Sequence, residues 1–279
     1  MNWLAYSLFC AFFLASADAL TKWKLADCST SELAFLRFAA PGMLLLPVLL
    51  FRPLPHFPPE FWGWVLAAIP LELAAMLLYM RAIRISPLHL TLPYLAFSPA
   101  FSALFAYWLL GEKIAISGLS GIALIVFGAL FLNRGRMIDP FRAIFAEPGS
   151  RMMLCVSLLY GLTSVLGKGA LQYCPPLEFG ALYFLLLAIC FFPAYLHKRK
   201  VLPKKPFWAL LVGILMSLMV VFHFAAISLA QVSYMIAVKR TSLLFGILYG
   251  AFLFGERGLL LHLLAGSVMV LGVALLSMG

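Results

Sequence analysis

The chain has 279 residues, of which 65% are hydrophobic and only 11% are charged, and its formal net charge is +10. A chain of this size with so few polar side chains cannot cover the surface of a water-soluble globule. The composition therefore excludes a soluble protein and indicates an integral membrane protein in a lipid bilayer. The basic charge implies no nucleic-acid partner, because loop lysines and arginines near anionic lipid account for it.

Apolar segments of about 18 to 24 residues, the length that crosses a hydrocarbon core as a helix, recur along the whole chain. These runs are continuously apolar and lack the alternation typical of barrel strands, so helices are favoured. The sequence predicts an all-α membrane protein with ten transmembrane helices and no soluble domain. The segments cover residues 3–20, 33–51, 61–83, 87–110, 115–132, 152–172, 177–196, 207–229, 231–254 and 259–277.

The first segment contains Ala15-Ser16-Ala17, which is similar to the small-residue site where a signal peptide is cleaved. A signal peptide begins with a positively charged region. Residues 1 to 3 contain no lysine or arginine. We therefore expect the first segment to be a retained transmembrane helix.

The chain repeats itself, which predicts a duplicated five-helix unit. The first unit is expected over residues 1–132 and the second over 152–279, joined by a basic connecting loop at 133–151. The offset between matching residues is 146 early in each half and 144 later, because of a two-residue difference inside the third helix. Matches include Lys22 with Lys168, Glu32 with Glu178, Phe38 with Phe184, Ser98 with Ser242, and Gly111-Glu112-Lys113 with Gly255-Glu256-Arg257.

An odd number of helices per unit means that the second unit enters the membrane from the opposite side, as in the inverted repeats of secondary transporters. The loops support this arrangement. Alternate loops on one side carry fourteen lysines and arginines, whereas the other side carries only Arg52 and Lys113. The positive-inside rule places the basic side in the cytoplasm and both termini outside. The expected location is the bacterial inner (plasma) membrane.

Each unit closes its fourth helix with Gly-Glu and follows it with a fifth helix rich in small residues. On this pattern, and over nearly its full length, the chain resembles the EamA-type permeases of the drug/metabolite transporter superfamily. The resemblance implies alternating access and a central cavity between the two halves, but it says little about the substrate. The residues that carry it are Gly111-Glu112, Gly255-Glu256, Gly121, Gly128, Gly266 and Gly272.

Two adjacent cations, Lys239 and Arg240, lie within the ninth predicted helix. Cations at membrane depth cost several kcal/mol unless they face water, protein or a ligand. Their equivalents in the first unit are Leu95 and Ala96, so the shared fold does not require them. Sugar-phosphate carriers of the same superfamily bind phosphate with an adjacent Lys-Arg on the ninth helix, and this similarity implies an anionic or phosphorylated substrate.

Arginine offers a planar fork suited to carboxylate or phosphate oxygens, and lysine adds a compact point charge. The sequence therefore predicts that Lys239 and Arg240 bind an organic anion, with His223 on the eighth helix as a further substrate-binding residue. A purely structural network around the two cations is the alternative.

Glu72 is the second charge that occurs in only one half, because the equivalent region of the second unit is Met216 to Leu218. It lies near mid-membrane, two residues after Pro70, where a carboxylate should be neutral or paired. Two hypotheses follow: a buried salt bridge with Lys239 or Arg240, or a carboxylate that couples transport to protons.

Charges shared by both halves are better explained as scaffold. Lys22 and Lys168 occupy equivalent places near helix ends, although Lys168 could also face the cavity and is kept as a candidate substrate-binding residue. Glu112 and Glu256 are expected to complement the positive end of the helix that follows each of them.

The sequence predicts neither an enzyme nor a cofactor or metal site. The five cysteines form no Cys-x-x-Cys pair, and we find no nucleophile elbow, phosphate-binding glycine loop or metal-binding helix motif. The favoured function is a secondary active transporter for a small organic metabolite, anionic or phosphorylated. A lipid-phosphate flippase or an intramembrane enzyme with an anionic headgroup site is the alternative, and the repeat disfavours a channel.

Overall fold

The computed structural model describes residues 2–86, 92–131, 147–196, 205–254 and 267–275. Every regular element in these ranges is a helix, which confirms the all-α prediction. Two shorter apolar helices, Tyr94–Leu110 and Ile116–Gly128, accompany six that are long and apolar enough to cross a membrane. The six are Asn2–Lys24, Thr30–Phe51, Pro59–Ile85, Pro148–Ala170, Pro176–Leu196 and Pro206–Leu229.

The helices follow the predicted order. In the first half they are α1 (Asn2–Lys24), α2 (Thr30–Leu44), α3 (Leu46–Phe51), α4 (Pro59–Ile85), a 3-10 helix (Leu92–Phe97), α5 (Ser98–Leu110) and α6 (Ile116–Phe131). In the second half they are α7 (Pro148–Ala170), α8 (Pro176–Leu196), α9 (Pro206–Leu229), α10 (Val232–Lys239) and α11 (Ser242–Phe254), with a further helical stretch at 267–275.

The connecting loop predicted at 133–151 lies mostly outside the described residues. Its last four positions belong to α7, which begins at Pro148.

Local signals set several helix ends. Ser29 and Glu32 form a capping box at the start of α2: the Ser29 N–H donates to Glu32 Oε2 at 2.5 Å, and the Glu32 N–H donates to Ser29 Oγ at 3.3 Å. At the end of α5, Gly111 adopts the left-handed conformation, with φ at 69°, which glycine reaches without a steric penalty.

Three predicted segments are interrupted. The second breaks at Leu45, between α2 and α3. The fourth changes from the 3-10 helix to α5 at Ser98, and the ninth breaks at Arg240 and Thr241, between α10 and α11. At the ninth break the Thr241 N–H donates to Val238 O at 3.0 Å, a three-residue spacing typical of 3-10 geometry. The start of α5 at Ser98 and the start of α11 at Ser242 are 144 residues apart, so both repeats break their fourth helix at the same place.

The packing of the helices is reciprocal between the two halves. Helix α1 packs along α9, and α4 packs along α7, while α2 packs against α8. In the repeat α1 corresponds to α7, α2 to α8, and α4 to α9. The first two contacts are therefore counterparts of each other, and the contact of α2 with α8 is its own counterpart. At Gly42 a Cβ atom would stand 2.9 Å from the Cα of Leu185, so α2 and α8 approach closely there.

Ion pairs between loops agree with the predicted alternation of the two membrane sides. Lys205 Nζ lies 3.1 Å from Asp27 Oδ2, joining two loops assigned to the basic side. Arg52 Nη1 lies 3.1 Å from Glu178 Oε1, joining the residue that follows α3 to the first turn of α8, at helix ends assigned to the other side. Which side faces the cytoplasm stays a prediction from the charge bias.

Candidate functional site

A cavity of about 100 Å³ lies between the two halves of the protein. Both halves line it, through α1, α2, α4 and the 3-10 helix of the first and through α7, α8, α9 and α10 of the second. Among the described residues, three cationic side chains face it, Arg37, Lys239 and Arg240, together with one carboxylate, Glu72. Aromatic and apolar side chains form most of the remaining wall, so the charges act in surroundings of low polarity.

Four of the five predicted site residues meet at this cavity. Glu72, His223, Lys239 and Arg240 all line it, although they come from α4, α9 and the end of α10. Lys168 does not line the cavity. The structure therefore brings together the charges that occur in only one half of the repeat.

Lys239 is the last residue of α10 and faces the cavity beside α9. Its Nζ atom lies 3.4 Å from Nδ1 of His223, within hydrogen-bonding distance. Within the described part of the chain, Lys239 forms no ion pair with a carboxylate. An ammonium group in this position has donors available for an anion in the cavity.

Arg240 follows Lys239 at the break in the ninth segment and is 4% exposed. Its Nε donates to Ser98 Oγ at 2.8 Å, and Ser98 Oγ in turn donates to Leu95 O at 2.8 Å. Lys239 and Arg240 both line the cavity, although successive residues of a helix point about 100° apart.

Glu72 lies on α4, next to α7. The Thr163 hydroxyl is within hydrogen-bonding reach of its carboxyl group, and Lys239 is within electrostatic reach. No ion pair among the described residues joins Glu72 to Lys239 or Arg240, so the direct salt bridge of the first hypothesis is not formed in this structure.

Sequence reasoning missed a second charged cluster, formed by Asp18, Arg37 and Tyr79. Arg37 is 2% exposed, and its Nη2 donates to Asp18 Oδ1 at 2.5 Å. The Tyr79 hydroxyl donates to Asp18 Oδ2 at 3.0 Å. The signal was present: at the 146-residue offset the equivalents of Asp18 and Arg37 are Ser164 and Tyr183, so both charges occur in only one half.

Lys168 lies in a different network, at the end of α7. Its Nζ donates to Glu112 Oε1 and to the Ala230 carbonyl, both at 2.6 Å. Glu112 Oε2 also accepts from the backbone N–H of Val232 at 3.0 Å. The glutamate therefore complements the start of α10 in the other repeat, whereas the sequence had suggested the helix that follows it. Glu256 lies outside the described residues.

The cavity wall has the symmetry of the repeat but not its chemistry. Equivalent positions of the two halves face it as pairs, and each pair joins two different side chains. In two of these pairs a polar or charged group takes the place of an apolar one. The pairs are Leu14 with Tyr160, Arg37 with Tyr183, Tyr79 with His223, and Leu95 with Lys239.

The fold and the central cavity define a multi-pass integral membrane protein of the helical transporter class. The model of the EamA-like transporter family matches residues 1–134 and 148–278, and the chain belongs to that family. This confirms the resemblance found in the sequence. No curated protein matches the chain.

A solved structure described as "Crystal structure of protein" is similar to this chain with a TM-score of 0.81 and 17% sequence identity. The match covers 99% of this chain and 98% of that chain. At this identity the similarity shows a shared fold.

Proposed function

We propose that the chain is a secondary active transporter that moves a small organic anion, carboxylated or phosphorylated, across the bacterial inner membrane by alternating access. The proposal rests on the position of Lys239 and on its lack of a paired carboxylate among the described residues. Lys239 faces the cavity beside Arg240, and no carboxylate within the described residues pairs with it. Since an unpaired cation at membrane depth is costly, a ligand that supplies the counter-charge explains its presence.

The charge balance of the cavity favours an anion over a cation. In the part of the chain that the structure describes, three cations, Arg37, Lys239 and Arg240, stand against two carboxylates, Asp18 and Glu72. With all five ionised, the site has one net positive charge. Lysine and arginine side chains are donors only, so they complement the acceptor oxygens of a carboxylate or phosphate.

The interrupted helices support alternating access. The breaks at Arg240 and at Ser98 lie beside the cavity, one in each half. Secondary transporters with repeats commonly bind substrate at such discontinuous helices, and the halves then move against each other around the site. The reciprocal packing of α1 with α9 and of α4 with α7 provides two equivalent bodies for this motion.

Proton coupling through Glu72 is part of the same proposal. Its carboxyl group faces the cavity, lies near the Thr163 hydroxyl and has no ion pair among the described residues. A carboxylate without a fixed counter-ion can take up a proton in one conformation and release it in another.

The test is ligand-dependent thermal stabilisation of the purified protein with a panel of organic anions, cations and neutral metabolites. We expect anions to stabilise the wild type and to lose this effect in Lys239→Ala. Stabilisation by organic cations alone would overturn the proposal. Stabilisation by phospholipid or polyprenyl phosphate headgroups, together with movement of the whole lipid between leaflets, would favour a flippase.

A further inference from the structure

Arg37 and Tyr183 occupy equivalent positions in the two repeats, 146 residues apart. Arg37 lies on α2 and Tyr183 on α8, two helices that pack against each other. Both side chains line the cavity. The repeat thus presents one hydrogen-bond donor from each half at the same structural position.

Each of these two side chains holds a donor without an acceptor. Arg37 is 2% exposed and Tyr183 is 5% exposed. Over the described residues, neither the Nε of Arg37 nor the hydroxyl of Tyr183 has a hydrogen-bond partner. Buried polar groups are nearly always paired in native proteins, so two orphaned donors on one cavity wall indicate missing acceptors.

The neighbours of the two donors, and the symmetry of the repeat, indicate that they lie toward different ends of the cavity. Arg37 is held by Asp18, which also accepts from Tyr79 on α4. Tyr183 lies within electrostatic reach of Glu72. Glu72 precedes Tyr79 by seven residues on α4. Seven helical residues rise about 10 Å. Equivalent positions of inverted repeats likewise lie at opposite depths.

We infer that the substrate carries two anionic groups, one at each end of a short carbon chain. One group binds Lys239 and the Tyr183 hydroxyl, and the other accepts a hydrogen bond from Arg37 Nε. The chemical class is a dicarboxylate or a phosphorylated carboxylic acid. The inference deepens the proposed function and rests on it, because the first group occupies the site at Lys239.

Charge balance is compatible with a dianion. The pair with Asp18 compensates the charge of Arg37 and leaves its Nε–H free to donate. A dianion in a cavity with one net positive charge leaves one negative charge, which a proton on Glu72 neutralises. A dianion would therefore enter together with one proton.

The experiment compares matched monocarboxylates and dicarboxylates of about four to six carbons, a length set by the spacing of the two ends. Binding to the purified full-length protein is measured by calorimetry and thermal shift. We expect the best dicarboxylate to bind at least about tenfold more tightly than the monocarboxylate of the same length, the effect of one additional charge-assisted hydrogen bond.

Three variants separate the two ends. Asp18→Asn combined with Arg37→Gln removes both charges of the buried pair, so that neither is left unpaired, and should abolish the preference for the dicarboxylate. Tyr183→Phe keeps the ring and should weaken both kinds of anion. Lys239→Ala should weaken the binding of both kinds of anion more strongly than Tyr183→Phe does.

Each result decides between the hypotheses. If the wild type binds the monocarboxylate and the dicarboxylate equally well, the inferred second anionic group is wrong. The same holds if the double variant still prefers the dicarboxylate. Neither result contradicts the anion site at Lys239. An amino acid of the same length that binds more tightly than the dicarboxylate would place its ammonium group against Glu72. This result would also overturn the second anionic group. If no anion binds and Lys239→Ala changes nothing, the proposed function fails as well.

Discussion

Arg240 donates a hydrogen bond from its Nε to Ser98 Oγ at 2.8 Å, and this contact joins the interrupted helices of the two repeats. Ser98 is the first residue of α5, and its repeat equivalent, Ser242, is the first residue of α11. The two breaks therefore touch across the interface of the halves. Any movement of one half against the other must change the surroundings of Arg240.

Lys239→Ala should weaken substrate binding while leaving the protein folded. Because the side chain supplies a charge-assisted contact, its loss should cost about 1.5–3 kcal/mol, or about one to two orders of magnitude in affinity. Calorimetry on purified protein measures this. Lys113→Ala, which removes an exposed lysine that does not line the cavity, is the control and should bind normally. Normal affinity in Lys239→Ala would assign the cations to a structural network.

Arg240→Lys separates geometry from charge. Lysine keeps the positive charge but cannot reproduce the planar fork, so both the contact with Ser98 and a bidentate contact with the substrate should be lost. We expect transport in proteoliposomes to fall nearly as far as in Arg240→Ala. Ser98→Ala removes only the partner hydroxyl and should have a smaller effect. Full activity of Arg240→Lys would show that charge alone suffices.

Glu72→Gln tests proton coupling. Glutamine keeps a polar side chain within reach of the Thr163 hydroxyl but cannot release a proton, so exchange of substrate across the membrane should persist while accumulation driven by a pH gradient is lost. Counterflow and pH-driven uptake in proteoliposomes measure the two activities. Glu60→Gln changes an exposed carboxylate at the start of the same helix and should alter neither. The coupling role is wrong if the variant still accumulates substrate. It is also wrong if the amount of folded protein falls while transport per folded molecule stays the same.

Lys168→Ala should lower stability without changing affinity. It removes a partly buried ion pair and the donor to the Ala230 carbonyl, and leaves Glu112 without its cation. The expected loss is about 1–3 kcal/mol in the free energy of unfolding. Lys205→Ala breaks the exposed pair with Asp27 and should cost less than about 1 kcal/mol. A loss of substrate affinity in folded Lys168→Ala would instead place Lys168 in the binding site.

The predicted topology can be tested with a matched pair of cysteines. Arg52→Cys and Lys205→Cys both place a thiol at an exposed position, on opposite predicted sides of the membrane. An impermeant maleimide added to intact cells should label Arg52→Cys and should reach Lys205→Cys only after lysis. The reverse pattern would show that the basic loops lie outside.

The native Cys174 should not obscure this labelling, although it precedes α8 on the same side as Arg52. Burial first, and then the nearby Glu178 carboxylate, raise the pKa of the Cys174 thiol to about 12. Maleimide reacts with the thiolate, which stays scarce until the pH approaches that pKa. The background from Cys174 should therefore be low near neutral pH and increase only under strongly alkaline conditions.

The sequence by itself determined the membrane environment, the all-α class, the repeat and the family, because each depends on composition or on spacing along the chain. Comparison of the two halves also identified Lys239, Arg240 and Glu72, which the structure places on one cavity. The same comparison would have found Asp18 and Arg37, since neither has a charged equivalent.

Only the tertiary structure decided where each charge goes. Lys168 pairs with Glu112, 56 residues away, and Arg37 pairs with Asp18 on a neighbouring helix, so neither pairing follows from spacing in one segment. The sequence also does not predict the break at Arg240, because residues 231–254 form an apolar run long enough for one continuous helix. At this break the Arg240 side chain donates to Ser98 in the other half, and that contact depends on how the two repeats pack.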